Sequence, residues 1–257
     1  MDDRIEGLFS GAEIKLRKEL FSLMQDWEKT VSSEKEKAPF MYDGFLPGYY
    51  ETSPKALFIG RESRNQEGSR DYVANTIEFF KQGTIVNSAP YWKRILCMYH
   101  IIRNNGIIDE TITADKIAQS MNEENRYGFA VMNISKYLND SENSEIHDSV
   151  LMNNFFEDSK FDQRNFLEEE IALLDPDLIL TANLWGCGIS ENLEKHLGKL
   201  TFLNEKVTVQ SDWAAALNSI EIKNKTVKLI DFYHFSSRKG DMDYYYKPLS
   251  ILLKSIL

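Results

Sequence analysis

The chain has 257 residues, of which 42% are hydrophobic, and a formal net charge of −10. This length and composition predict one large domain with a sizeable core and exclude wholesale disorder. The acidic balance opposes general DNA binding, which needs a positive face, although a local basic strip can lie on an acidic body. No apolar run reaches the length of a membrane helix, and the start Met1–Arg4 is acidic where a signal peptide is basic, so we expect a cytoplasmic protein without a membrane partner.

Cysteine and histidine are sparse. Cys97 and Cys187 are the two cysteines and lie far apart in the sequence, which argues against a disulfide framework, a zinc ribbon or an iron–sulfur cluster. His100, His147 and His196 show no metal-ligand spacing. We expect two buried free thiols, no metal and no cofactor.

The first predicted element is an amphipathic helix over residues 10–31, in which Leu16, Leu20 and Leu23 recur at spacings of three and four. With the loop that follows, it makes up an N-terminal segment 1–39 ahead of a core over 40–257. In this core, short apolar runs predict buried strands, and amphipathic patterns predict helices between them. The strands are expected at 55–60, 128–133, 178–181, 217–222 and 226–232, and the helices at 70–82, 90–104, 163–174, 189–197 and 243–257, with Thr113 as the cap of a further short helix.

This alternation predicts a single α/β domain, a three-layer αβα arrangement with a central, mostly parallel sheet. In such sheets ligands bind outside the carboxyl ends of the strands. The long polar insert 135–160 has the length of a lid.

The first strand end with unusual chemistry is Gly60, followed by Arg61 and Glu62. Glycine lets the backbone approach a ligand closely, and a carboxylate beside it can position a water molecule or stabilise a developing cation. The alternative is an exposed acid in a salt-bridged loop. Asn133 ends another strand, where its amide either matches the hydrogen-bonding edge of a nucleobase or turns the chain.

The last strand leads into His234, Ser236, Arg238 and Lys239. Histidine can donate a hydrogen bond to a leaving group or transfer a proton, and the serine and basic residues are types that bind phosphate. The alternative is a histidine at the edge of the core followed by a solvated basic loop.

These three groups, in this order, resemble the uracil-DNA glycosylase superfamily. In that family a Gly-x-acid segment follows the first central strand, a second strand ends in asparagine, and a late strand leads into a His-Pro-Ser loop before a final helix. The matching stretches here are residues 57–62, 129–133 and 234–236, and 177–186 is similar to the family's third strand. The family's proline after the acid is Ser63 here, and its proline after the histidine is Phe235.

The resemblance implies roles for individual residues. Glu62 would position water and stabilise the cation-like sugar, and His234 would stabilise the departing base through a hydrogen bond. Asn133 would recognise a base flipped out of the duplex. Ser236 and Arg238 would contact phosphates, and Gly60 and Arg61 would line the substrate site. An aromatic side chain would stack on the base, with Tyr72, Phe79 and Tyr91 as the candidates.

Three hypotheses follow. A DNA glycosylase-like hydrolase that acts on a damaged or deaminated base would carry a basic strip formed by Arg61, Arg64, Arg238 and Lys239. An enzyme of the same fold that acts on a small nucleoside or nucleotide would have a deep pocket and no surface groove. A non-catalytic module that binds a nucleobase or nucleic acid would have its pocket filled by Phe235 and the aromatic side chains of residues 40–50.

Overall fold

The computed structural model describes residues 2–30, 39–64, 70–83, 85–139, 153, 155–157, 164–185 and 188–256. Most of the predicted lid 135–160 lies outside these ranges, as do Cys187 and the side chain of Arg64. Cys97 is described and is a buried free thiol, as predicted.

Helices and strands alternate along most of the chain. The helices are α1 (Asp3–Glu6), α2 (Gly11–Thr30), α3 (Tyr72–Lys81), α4 (Pro90–Arg103), α5 (Ala114–Glu124), α6 (Phe166–Leu174), α7 (Ser190–Leu197) and α8 (Lys247–Leu253), with 3₁₀ turns at Tyr49–Glu51 and Val86–Ser88 and a π turn at Met242–Tyr246. The strands are β1 (Gly44–Phe45), β2 (Ala56–Gly60), β3 (Ser63–Arg64), β4 (Ala130–Asn133), β5 (Leu138–Asn139), β6 (Leu178–Ala182), β7 (Thr201–Val209), β8 (Asp212–Ile222) and β9 (Lys225–Phe232). Thr113 caps α5 as predicted, since its side chain accepts a hydrogen bond from the Lys116 backbone.

Seven strands form the main sheet in the order β1-β4-β2-β6-β9-β8-β7. The four strands β4, β2, β6 and β9 are parallel, whereas β1 is antiparallel to β4, and β8 and β7 extend the other edge in antiparallel pairing. The chain is therefore α/β as predicted, but the sheet is mixed. Its parallel part consists of the central strands, and β3 and β5 form a separate parallel pair.

Burial explains which strands could be predicted. Every residue of β2 and β6 is buried, and such continuous apolar runs are typical of central parallel strands. Strand β7 was not predicted because its described side chains are exposed or partly buried, with no continuous apolar run. The two-residue connection to β8, Gln210 and Ser211, has positive φ at both positions. This is the geometry of a type I′ hairpin. The turn lacks the glycine from which such hairpins are usually predicted.

The helices form two groups. Helices α3 and α4 both contact α5, α4 also contacts α8, and α2 and α7 both contact α6. From β2 the chain passes through α3, α4 and α5 to β4 on one side of β2. From β4 it passes through α6 to β6 on the other side of β2, so the order of strands reverses between β2 and β6. Such a switch point is where open α/β sheets bind ligands, at the carboxyl ends of the strands.

Candidate functional site at the carboxyl ends of the parallel strands

The last residues of β2 and β4, Gly60 and Asn133, are direct neighbours in the parallel pairing. A Cβ atom at Gly60 would lie 2.7 Å from Asn133 Oδ1 and 3.1 Å from the Tyr91 hydroxyl oxygen. The first distance is shorter than a Cβ atom tolerates unless the Asn133 side chain moves, and the second is tight. Glycine at this strand end therefore allows two polar groups to meet over the backbone at the switch point.

The two chain segments continue side by side after the strands end. The Ile134 amide donates to the Gly60 carbonyl at 3.1 Å, and the Ser135 amide donates to the Arg61 carbonyl at 2.8 Å. Strands β3 and β5 then pair in the same direction. Glu62 lies within this ordered ribbon and is partly exposed. Its carboxylate is thus carried on hydrogen-bonded backbone.

Asn133 is fixed through both its backbone and its side chain. Its Nδ2 donates to Ser63 Oγ at 3.0 Å, its backbone amide donates to the Asp43 carboxylate, and its carbonyl accepts from Lys136 Nζ at 2.8 Å. The residue is 2% exposed. Ser63 supplies the hydroxyl that holds the side-chain amide of Asn133.

Behind Asn133 lies a buried cluster of three charged residues, which we call the Lys136 cluster: Lys136, Asp43 and Glu170. Lys136 Nζ lies 2.8 Å from Asp43 Oδ2 and 2.7 Å from Glu170 Oε2, and all three side chains have 0% exposure. Burial raises the pKa of the Glu170 carboxyl to about 8 and also raises the pKa of Asp43, while the charge of Lys136 opposes both shifts. With two acids for one base, the cluster retains a proton more readily than isolated carboxyls do.

Tyr91 is the aromatic candidate that the structure places beside Gly60. The hydroxyl groups of Tyr72 and Tyr91 are hydrogen-bonded to each other, and Tyr72 also bonds the Asn133 side chain. Burial raises the pKa of both tyrosines, so both carry their protons near neutral pH. Phe79, the third candidate, instead packs near Trp92, with 6.5 Å between the ring centroids.

The segment after β9 fixes the orientation of His234. The Ser236 amide donates to His234 Nδ1 at 3.2 Å, and the Tyr245 hydroxyl donates to the His234 carbonyl at 2.8 Å. Because Nδ1 accepts a hydrogen bond, a neutral His234 ring carries its proton on Nε2. His234 is partly exposed.

Arg94 in α4 organises the loop that follows His234. Its guanidinium donates to the carbonyls of Phe235 at 2.6 Å, Ser237 at 2.8 Å and Lys239 at 2.8 Å, and to the Asp241 carboxylate at 2.8 Å. Arg94 itself is 4% exposed. The loop is therefore held by a buried cation.

Phe235 anchors the same loop in the core. It is fully buried, and its ring lies 6.2 Å from that of Phe58 and 6.0 Å from that of Tyr91, measured between centroids. Phe58 belongs to β2 and Tyr91 reaches Gly60, so this packing connects the His234 loop to the Gly60–Asn133 pair.

The predicted basic strip is only partly present among the described side chains. Arg61 is partly exposed and Arg238 is exposed. Lys239 Nζ lies 2.5 Å from Asp212 Oδ2 and 4.7 Å from the centroid of the Tyr233 ring. The Asp212 carboxylate compensates the Lys239 charge, so this lysine adds little positive potential to the surface.

Asp231, near the end of β9, forms a separate polar contact with β6. Its Oδ1 accepts hydrogen bonds from Thr181 Oγ1 at 2.5 Å and from the Asn183 amide at 3.0 Å. Burial raises the pKa of Asp231 to about 6. This carboxyl joins neighbouring parallel strands directly below the edge that carries His234.

Several residues that contact the site were not predicted from the sequence. Asp43 lay in an aromatic loop, and Arg94 in an amphipathic helix, where charged residues are usually exposed. Glu170 did leave a detectable pattern, because it falls on the apolar stripe of α6 formed by Leu167, Ile171 and Leu174.

No protein-family model and no curated protein matches the chain. Within the described ranges, no group of three or more histidine, cysteine or acidic side chains is arranged to hold a metal ion. The helices in the described part of the chain are all too short or too polar to cross a membrane.

Proposed function

We propose that the chain is a uracil-DNA glycosylase-like hydrolase with a three-layer αβα fold, which cleaves the N-glycosidic bond of a damaged or deaminated base in DNA. The observation that carries the proposal is positional. The three motifs of the resemblance follow β2, β4 and β9, whose carboxyl ends lie at one edge of the parallel strands, with β2 at the switch point.

The proposed reaction needs two groups. As the bond between the sugar C1′ and the base nitrogen breaks, its electron pair leaves with the base, and the Nε2–H of His234 stabilises the resulting anion through a hydrogen bond. Water then adds to C1′, and the Glu62 carboxylate orients that water and accepts its proton. Fixing Nδ1 of His234 as an acceptor supports this role, because the ring is a donor at Nε2 without being charged.

Recognition of the base is assigned to Asn133 and Tyr91. Their polar atoms meet over Gly60, and the Lys136 cluster holds the Asn133 backbone in place. The Asn133 side-chain amide already donates a hydrogen bond to Ser63. A bound base would therefore replace an existing hydrogen bond of Asn133. Arg61, Ser236 and Arg238 would contact the phosphates on the exposed side of this edge.

One observation favours a second candidate, the same chemistry on a small nucleoside or nucleotide. The Asp212 carboxylate compensates the charge of Lys239, and the chain carries a net charge of −10. The surface beside the site therefore presents less positive charge to DNA phosphates than the predicted basic strip would. A single nucleoside needs no basic groove, while the roles of Glu62 and His234 stay the same.

A base-release assay on both substrate types tests the proposal. Single- and double-stranded oligonucleotides that contain uracil, hypoxanthine or a mismatch would be compared with free deoxyuridine and deoxyinosine, at enzyme excess and low salt. We expect release from an oligonucleotide that is lost in Glu62→Gln and in His234→Ala and retained in Glu78→Gln, a control with a 61% exposed side chain. Release from the free nucleosides alone would select the second candidate, and no release from any substrate would overturn both in favour of a binding module.

A further inference from the structure

A cleft of about 430 Å³ lies away from the strand-end site, at the amino ends of the parallel strands. It is lined by side chains of α4 and α5, by Thr52, four residues before β2, and by Arg126 and Tyr127, shortly before β4. A volume of this size falls within the range of small-molecule sites in proteins.

Positive side chains from three elements converge on this cleft. Arg103 comes from the end of α4, Lys116 from the first turn of α5 and Arg126 from the segment after α5, while Glu124 is the acidic residue in the lining. In a chain of net charge −10, such a local excess of positive charge is a distinct feature. It attracts anions to this place rather than to the surface in general.

The two guanidinium groups are held by one turn of the backbone. Arg103 Nη1 donates to the Ser53 carbonyl at 3.0 Å, and Arg126 Nη2 donates to the Glu51 carbonyl at 3.2 Å. Arg126 also lies 3.4 Å from the Glu51 carboxylate. Each guanidinium has five N–H donors, so these contacts orient both groups and leave donors for a ligand.

Hydroxyl groups and apolar side chains complete the lining. The Tyr99 hydroxyl forms a hydrogen bond with Thr52, and a Cβ atom at Gly128, where φ is +75°, would overlap that hydroxyl. Glycine therefore permits the two hydroxyls to lie together against the chain before β4. Ile112, Ile117 and Met121 provide an apolar wall.

We propose that this cleft binds a small phosphate-bearing molecule with an apolar body. Guanidinium groups match the oxygens of phosphate through paired hydrogen bonds. The three cations outnumber the two nearby carboxylates, Glu124 in the lining and Glu51 beside Arg126, so the cleft keeps an excess of positive charge for an anion. The apolar wall would cover the rest of the ligand. This site is separate from the strand-end site and does not depend on the function proposed for it.

Titration calorimetry at low salt with phenyl phosphate and inorganic phosphate tests the proposal. We expect saturable binding of both probes, with phenyl phosphate the tighter because its ring contacts the apolar wall. Arg103→Gln and Lys116→Gln should each weaken binding about tenfold, the effect of losing one charged hydrogen bond. Both residues are exposed, so the substitutions leave the core intact.

Two controls separate this cleft from other positive groups. Lys199→Gln, at a side chain that is 83% exposed and outside the cleft, should bind phenyl phosphate like the wild type. Arg4→Gln, at a side chain that is 59% exposed and outside the cleft, should also leave binding unchanged. Absence of saturable binding, equal affinity of the two cleft variants and the wild type, or loss of binding in Arg4→Gln would each overturn the proposal.

Discussion

Replacing Lys136 with methionine should strongly destabilise the protein, because it leaves two buried carboxyls without their cation. The Lys136 ammonium lies 2.8 Å from Asp43 and 2.7 Å from Glu170, and it also donates to the Asn133 carbonyl. Removing one partner of a buried ion pair typically costs 3–5 kcal/mol. Since both carboxyls depend on the same lysine, we expect the free energy of unfolding to fall by about 4–5 kcal/mol at pH 8.

The loss should depend on pH in a defined direction. Burial raises the pKa of Glu170 from its ordinary value of 4.5 to about 8, so between these values the folded state holds a proton that the unfolded state has released. Stability therefore decreases as pH rises through this window. Without the Lys136 charge both carboxyl pKa values rise further, and the variant should lose less stability at pH 5.5 than at pH 8.

Urea unfolding at these two pH values measures the effect. Lys29→Met is the matched control, because the Lys29 side chain is 75% exposed, and it should change stability by no more than about 0.5 kcal/mol. A loss below about 1 kcal/mol for Lys136→Met at pH 8, or an equal loss at both pH values, would refute the assigned role of the cluster.

Three further variants probe the same structure. Glu170→Gln should match or exceed the wild type in stability at pH 8, and its free energy of unfolding should decrease less between pH 5 and pH 8. Urea unfolding across this range measures the effect, and the same decrease with pH as in the wild type would contradict it. Gly60→Ala should lower the free energy of unfolding by about 1–3 kcal/mol, because the new methyl group collides with the Asn133 amide, and wild-type stability would exclude that close approach. Arg94→Leu should free the loop carbonyls and accelerate tryptic cleavage after Arg238, as followed by mass spectrometry, whereas unchanged cleavage would show that other contacts hold the loop.

The central strands could be predicted from the sequence because burial on both faces requires continuous apolar runs. The predicted strands 55–60 and 178–181 agree with β2 and β6 to within one residue at each end. The antiparallel edge could not be predicted in full, because β7 is solvated and its turn contains no glycine. The extent of parallel pairing was therefore overestimated.

The positions of the site residues at the strand ends could be predicted from the sequence. The side-chain contacts that hold these residues in place could not. Alternating strands and helices predict that Gly60 and Asn133 lie at the same edge of the sheet. The strand register shows in addition that they are direct neighbours. The contacts of Lys136 with Asp43 and of Arg94 with the Phe235 carbonyl join positions far apart in the sequence. The residue type of a charged side chain does not show whether it is buried. In the sequence, burial can be predicted only where the residue falls on the apolar stripe of a helix or strand.

The most direct test of the proposed function is free-base release in a single turnover. The wild type, in excess over an oligonucleotide that contains uracil, would be followed by chromatography of the released base, with Glu62→Gln in parallel. We expect free uracil from the wild type and a rate at least about 100-fold lower in the variant, the usual contribution of a general base. Absence of free base, or equal rates for the two proteins, would contradict the assignment of Glu62 and the glycosidic chemistry proposed for this edge of the sheet.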